Sequence, residues 1–216
     1  MAAGMQVGTS LGELLIDSSN IKMFLRHYGT AGASFTVPAI DPVVFVRPLE
    51  SGAGGGLRSA ANGVADIGIS GACEYYVFDR PVQASGLDAW NEQGVQIFTA
   101  SQYPLNIIGS VNIPQYFEGN TGNWNRGWEF AGLTSGKYAY NQSYFREGLQ
   151  WQRMPGVGYQ TNVWYEAIQT RANGFFASFS RFGFSMLGWR PDPSDYGFWC
   201  GAPPCPVSII DVAGIL

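Results

Sequence analysis

One histidine, His27, stands beside Arg26 in a stretch of alternating apolar residues. A nucleophilic triad would have to be built on that single imidazole, and no G-x-S-x-G elbow accompanies it to present a serine. The sequence therefore favours a structural or surface histidine. The run GAGGGLRS (52–59) has the glycines of a phosphate cradle. It lacks the Lys-Ser/Thr that completes a P-loop, and no helical pattern follows it. Its glycines predict a flexible, solvent-exposed connection that holds no ligand. Paired carboxylates for glycoside hydrolysis would have to come from Glu129, Glu147, Glu166, Asp192 and Asp195. None sits in a motif, and 16 acidic residues always permit some pair. No catalytic residue and no cofactor are expected.

Cysteine offers little more. Cys73 stands alone, while Cys200 and Cys205 enclose GAPP, a spacing that suits either a small disulfide loop or two free buried thiols. No second Cys or His pair exists to complete a zinc site. The more informative chemistry is aromatic, since six of the seven tryptophans lie after residue 120. The stretch YFEGNTGNWNRGW (116–128) sets Tyr116, Trp124 and Trp128 beside Arg126 and several asparagines. Flat faces next to amide groups suit sugar stacking or a protein interface, and equally the core of a wide sandwich. Tyr116, Trp124, Arg126 and Trp128 are the candidate contact residues, for a partner or for a glycan.

The elements that must carry these residues read as strands. GELLIDSS (12–19), IKMFLRHYG (21–29), ASFTVPAI (33–40), PVVFVRP (42–48), VADIGISG (64–71) and CEYYVFDRP (73–81) set β-branched and aromatic residues between Gly, Pro and Ser. The alternation of Glu74, Tyr76 and Phe78 against Tyr75, Val77 and Asp79 predicts a half-buried strand. GKYAYNQSYF (136–145) is another, and residues 159–185 predict a long hairpin turning at RANG. PDPSDYGFWCGAPPCP (191–206) is expected to be an irregular loop because of its prolines. VSIIDVAGIL (207–216) offers a last apolar strand.

Composition agrees with an all-β chain. Gly numbers 29, aromatics are 15% and charged residues only 13%, against a usual share of about a quarter. The net charge is −4 and the basic residues are scattered, which excludes a phosphate-binding stripe and with it a nucleic-acid partner. No apolar run is long enough for membrane insertion, and the first residues lack a basic and then apolar leader. The chain is thus expected to be made in a cytoplasm.

The sequence also repeats itself. At an offset of 82, Gly4 falls on Gly86, Met5 on Leu87, Val7 on Ala89, Gly12 on Gly94, Leu15 on Ile97, Ile16 on Phe98 and Ser19 on Ser101. Each stretch predicts two strands about a glycine turn and then a third apolar strand. The pattern fits a duplicated β-unit, although any two hairpins with one turn type share part of it. Two β-sandwich-like units are expected, 1–84 and 85–216. The first is a virion-anchoring candidate, and the second is enlarged by the aromatic, glycine-rich region 115–216.

Three phrases in order carry a resemblance: the opening Met5–Asp17, YYVFDRP (75–81), and the restart Gly86–Ile108. Together they resemble small tail-tip or tail-fibre-associated proteins of long-tailed, lambda-like bacteriophages. The resemblance covers about residues 1–110. It implies a virion component without catalytic residues, contributing to tail assembly and host attachment. Its partners would be other tail proteins and copies of itself, in a trimer about the tail axis, with a bacterial surface receptor as a further candidate. The competing expectation is a monomeric carbohydrate-binding module or adhesin acting on cell-surface glycans. A third is a small glycan-degrading enzyme, which would need two carboxylates facing one cleft.

Overall fold

A computed structural model describes residues 6–8, 14–17, 22–82, 87–115, 127–134, 136–156, 158–180, 185–188, 196–199 and 203–215. Strands β1 (Gln6–Gly8) and β2 (Leu14–Asp17) form a hairpin, followed by β3 (Phe24–Pro38), β4 (Val43–Pro48), β5 (Gly54–Ala61) and β6 (Val64–Asp79). A second hairpin, β7 (Asp88–Trp90) and β8 (Gln96–Thr99), leads into β9 (Ile107–Ile113). Then come β10 (Trp128–Ala131), β11 (Tyr138–Gln142), β12 (Glu147–Met154), β13 (Gly158–Arg171), β14 (Gly174–Ser180), β15 (Ser185–Leu187), β16 (Tyr196–Trp199) and β17 (Cys205–Asp211). The fold is all-β, and the described residues include no helix.

The two hairpins are the same object at an offset of 82. Gln6 faces Asp17, Val7 faces Ile16 and Gly8 faces Leu14, with a register shift between Val7 and Gly8. Asp88 faces Thr99, Ala89 faces Phe98 and Trp90 faces Gln96, with the shift between Ala89 and Trp90. The likeness continues into the strands that follow. Along β3, Leu25 faces Phe78 and His27 faces Val77, so Arg26 is the bulged residue. Along β9, Ile107 faces Ile210 and Gly109 faces Ile209, so Ile108 is bulged at the same offset. Ala31 faces Cys73, and Ile113 faces Cys205.

One seven-stranded sheet holds both copies, in the order β3-β6-β4-β11-β17-β9, with β5 also paired to β6. The first three strands of that order are mirrored by the last three. β4 and β11 meet antiparallel at the centre, with Val46 opposite Tyr140. At the other end Phe24 bridges Pro104, Leu25 N–H donates to Tyr103 O at 2.8 Å, and Leu105 N–H donates to Met23 O at 2.7 Å. These bonds bring the start of β3 against the segment that leads into β9. The boundary expected at residue 84 falls between the two copies, whose outer, middle and inner strands share one sheet.

Packing explains how the copies diverged. On one face of the sheet, Leu25, Phe45, Tyr76 and Phe78 of the first copy share a buried cluster with Ala139, Ile210 and Val212 of the second. At equivalent positions Phe45 corresponds to Asn141 and Tyr76 to Ser208. A shared interior packed to crystal-like density has no room for two sets of rings, so one copy supplies bulk and the other space. The opposite face of the first copy buries Val44, Val46, Ile67, Cys73 and Val77. Strand β6 is thus covered on both faces: Glu74, Tyr76, Val77, Phe78 and Asp79 are all buried. The half-buried strand expected from its alternation is corrected accordingly.

The second copy is enlarged between β9 and β17. There a six-stranded sheet, β10-β14-β13-β12-β16 with β15 on β13, takes the place that β5 holds in the first copy. It packs Ile168, Phe175 and Ala177 onto Tyr138, Tyr140, Val207, Ile209 and Ile113, making a sandwich. Strands β13 and β14 turn within RANG, as their sequence predicts. Within the proline-rich stretch after 191, however, Tyr196–Trp199 forms β16 and pairs with β12 from Leu149 to Gln152. Prolines bound that strand without interrupting it.

The glycine run is a second correction. Gly54, Gly55 and Gly56 lie in β5, opposite Ser70, Ile69 and Gly68. A Cβ on Gly55 would stand 2.2 Å from Gly68 O, and one on Gly56 would stand 3.0 Å from the Phe145 ring. The glycines admit close neighbours; they do not loosen the chain.

Candidate functional site

Of the predicted contact residues, Tyr116, Trp124 and Arg126 lie outside the described residues. Trp128 opens β10 and is half-buried. Its ring lies 6.3 Å from Phe130 in a stacked arrangement and 5.9 Å from Phe175. It therefore packs against the sandwich core along at least one face. Cys205 is a buried free thiol whose Sγ donates to Tyr144 O at 3.3 Å. Cys200, the other half of the small disulfide loop weighed against two free thiols, lies outside the described residues. Cys73, at the equivalent place in the first copy, is also free and buried. Burial first, and then the charge of Glu50, push its thiol up to about 12, so it stays protonated and unreactive.

Three of the five candidate carboxylates, Glu129, Glu147 and Glu166, lie among the described residues. Glu129 and Glu147 are exposed, and Asp192 and Asp195 lie outside the described residues. Glu166 is buried in a fork with Arg146: Arg146 Nε donates to Oε2 at 2.8 Å, and Nη2 pairs with Oε1. His27 is half-buried, with Nε2 3.1 Å from Pro38 O. No group of three or more His, Cys, Asp or Glu among the described residues could hold a metal ion. A hollow beside the β12–β13 turn is lined by Arg153, Met154, Pro155 and Tyr159, with no acid among its described lining residues.

A second charged cluster joins the two copies. Glu74 Oε2 accepts from Tyr76 Oη at 2.9 Å and from Arg47 Nη1 at 3.3 Å, while Lys137 Nζ of the second copy lies 3.1 Å from Oε1. Burial by itself would raise the Glu74 carboxyl. The hydrogen bonds from Lys137 and Tyr76 and the charges of Arg47 and Lys137 outweigh it, and hold the group below the usual carboxylate range. A lowered folded pKa stabilises fully above the unfolded value, about 4.3 for glutamate, and that contribution is lost as pH falls through the folded value. The expected result is that Glu74→Gln flattens the acid limb of a stability-versus-pH curve relative to the parent. An acid limb of unchanged slope would exclude Glu74 as a contributor.

The surface carries the remaining signal. Leu87, Trp90, Tyr103, Ile107 and Ile108 are exposed large apolar residues within 22 positions of one another. Ile107 and Ile108 belong to β9, the last strand in its sheet. A sequence-level clue to this edge lay in the repeat, where Ile108 falls on Arg26. Comparison with protein-family models, with curated proteins and with solved structures gives no match for this chain.

Proposed function

We propose that this chain is a structural component of a bacteriophage tail, at the tip or in a fibre. In this reading it contributes to tail assembly and host attachment through contacts with neighbouring tail proteins and with copies of itself. The observation that carries it is the exposed apolar set Leu87, Trp90, Tyr103, Ile107 and Ile108 on a charge-poor chain. Exposed apolar side chains serve protein contacts where they adjoin, as Ile107 and Ile108 do. The phrases Met5–Asp17, Tyr75–Pro81 and Gly86–Ile108 supply the tail assignment. A glycan-binding module is less well supported, since Trp128 stacks with Phe130 and leans on Phe175.

The test is location. An epitope-tagged chain, expressed in infected cells, is expected in purified virions, with gold label at the distal end of the tail. Virions that carry no label while the free protein remains in the lysate would reject the reading.

A further inference from the structure

The duplication presents one backbone edge twice, and the two versions carry opposite chemistry. At the bulge of β3 stands Arg26, whose Nη1 donates to Arg80 O at 3.1 Å, followed by His27 and Tyr28. At the same bulge of β9 stands Ile108, followed by Gly109 and Ser110. Leu25 is 8% exposed, whereas its equivalent Ile107 is 50% exposed and Ile108 is 45% exposed. Strand β9 (IIGSVNI) has no charged residue and no proline, and among the described residues no strand pairs with its outer edge. Sheet edges that stay solvent-exposed are guarded by charge, proline or cover. The first copy keeps such a guard and the second has dropped it.

We propose that the outer edge of β9 is the surface by which two copies of this chain associate, β9 against β9 and antiparallel. Two features of the molecule identify the occupant as a second copy. Pairing a unit with its own duplicate is already how the chain is built. β4 lies antiparallel to β11, and the start of β3 bonds the segment that leads into β9. An uncharged strand can also meet itself in any antiparallel register without setting like charges opposite one another, whereas an edge bearing Arg26 does so when that residue lies at the two-fold axis. On a chain of net charge −4, a neutral strip is where self-repulsion is least. Trp90 and Tyr103, from the segment leading into β9, are of the residue types that anchor such contacts. A two-fold contact gives an even number of copies, in place of the trimer the resemblance implies.

The proposal shares with the tail reading only the claim of self-association. Its test is light scattering of the full chain across a concentration series, for the parent and for Ile108→Arg. That substitution installs the residue the duplicate already carries on the same backbone, so the fold should tolerate it. The parent is expected to form dimers. The variant is expected to melt at the same temperature and to weaken dimerisation about a hundredfold or more. Ser110→Lys, at an exposed edge position, gives an independent reading. Hydrogen exchange of amides 107–113 in the unmodified chain adds a third, because their protection should rise with protein concentration. A multimer that persists in both folded variants, or exchange that ignores concentration, overturns the β9 surface and leaves self-assembly standing. A parent chain that is monomeric at every concentration overturns both.

Discussion

Arg146→Met is expected to remove about 3–5 kcal/mol of stability, read as a shift in the denaturant midpoint. Arg146 is 1% exposed and Glu166 is 3% exposed. The guanidinium grips both carboxylate oxygens, and Nη1 also donates to Pro114 O at 2.6 Å. Gln142 Nε2, at 3.3 Å from Oε2, adds a neutral donor from β11. One guanidinium thus fastens β13 to the segment after β11 and to the exit from β9. Without it a carboxylate stays buried with its countercharge gone, and desolvation is no longer offset. The double variant Arg146→Met/Glu166→Leu should recover most of the loss, because a buried pair is often replaceable by apolar residues of similar volume. A single variant that costs under about 1 kcal/mol would mean that the pair behaves as a solvated surface bridge.

Phe175→Ala is expected to cost a similar amount, about 3–5 kcal/mol. The ring is fully buried, 5.1 Å from Tyr140, 5.6 Å from Phe130 and 5.9 Å from Trp128. Tyr140 lies in the shared sheet, while Phe130 and Trp128 lie in the added one, so Phe175 pins one layer to the other. Tyr140 Oη also donates to Gly174 O at 2.6 Å, next to that ring in the chain. Loss of the near-ultraviolet aromatic signal should accompany the fall in stability. A change below about 1 kcal/mol would show that the layers are held elsewhere.

The parts of this fold that were legible in the sequence are those set by short range. Strand periodicity placed most of the strands. The 82-residue repeat of Gly, apolar and Ser positions marked two hairpins whose backbone pairing coincides. The shared sheet was not legible, because β4 finds its partner β11 more than ninety residues later and no local pattern announces such a neighbour. The glycines at 54–56 misled for a related reason. Local propensity reads them as freedom, whereas their meaning lies in the carbonyl of Gly68 and the ring of Phe145 that they admit. Glu166 was one acid among sixteen until Arg146 was seen beside it. Among the proposed contact residues, only Trp128 can be placed, and it packs inward along part of its surface.

The strand order also dictates a timetable. Strands β3, β4 and β6 can pair as soon as Asp79 has emerged from the ribosome, so the first copy is free to fold while the rest of the chain is still being made. The second copy has no such freedom, since β17 (Cys205–Asp211) must slide between β9 and β11 before either has its inner neighbour. Until then the nascent chain holds one edge of β11 and the whole of β9 open to any strand that passes. Chains on neighbouring ribosomes of one message bring such strands close. The edge that we propose for pairing in the finished protein is thus also the one most exposed to mispairing during its making.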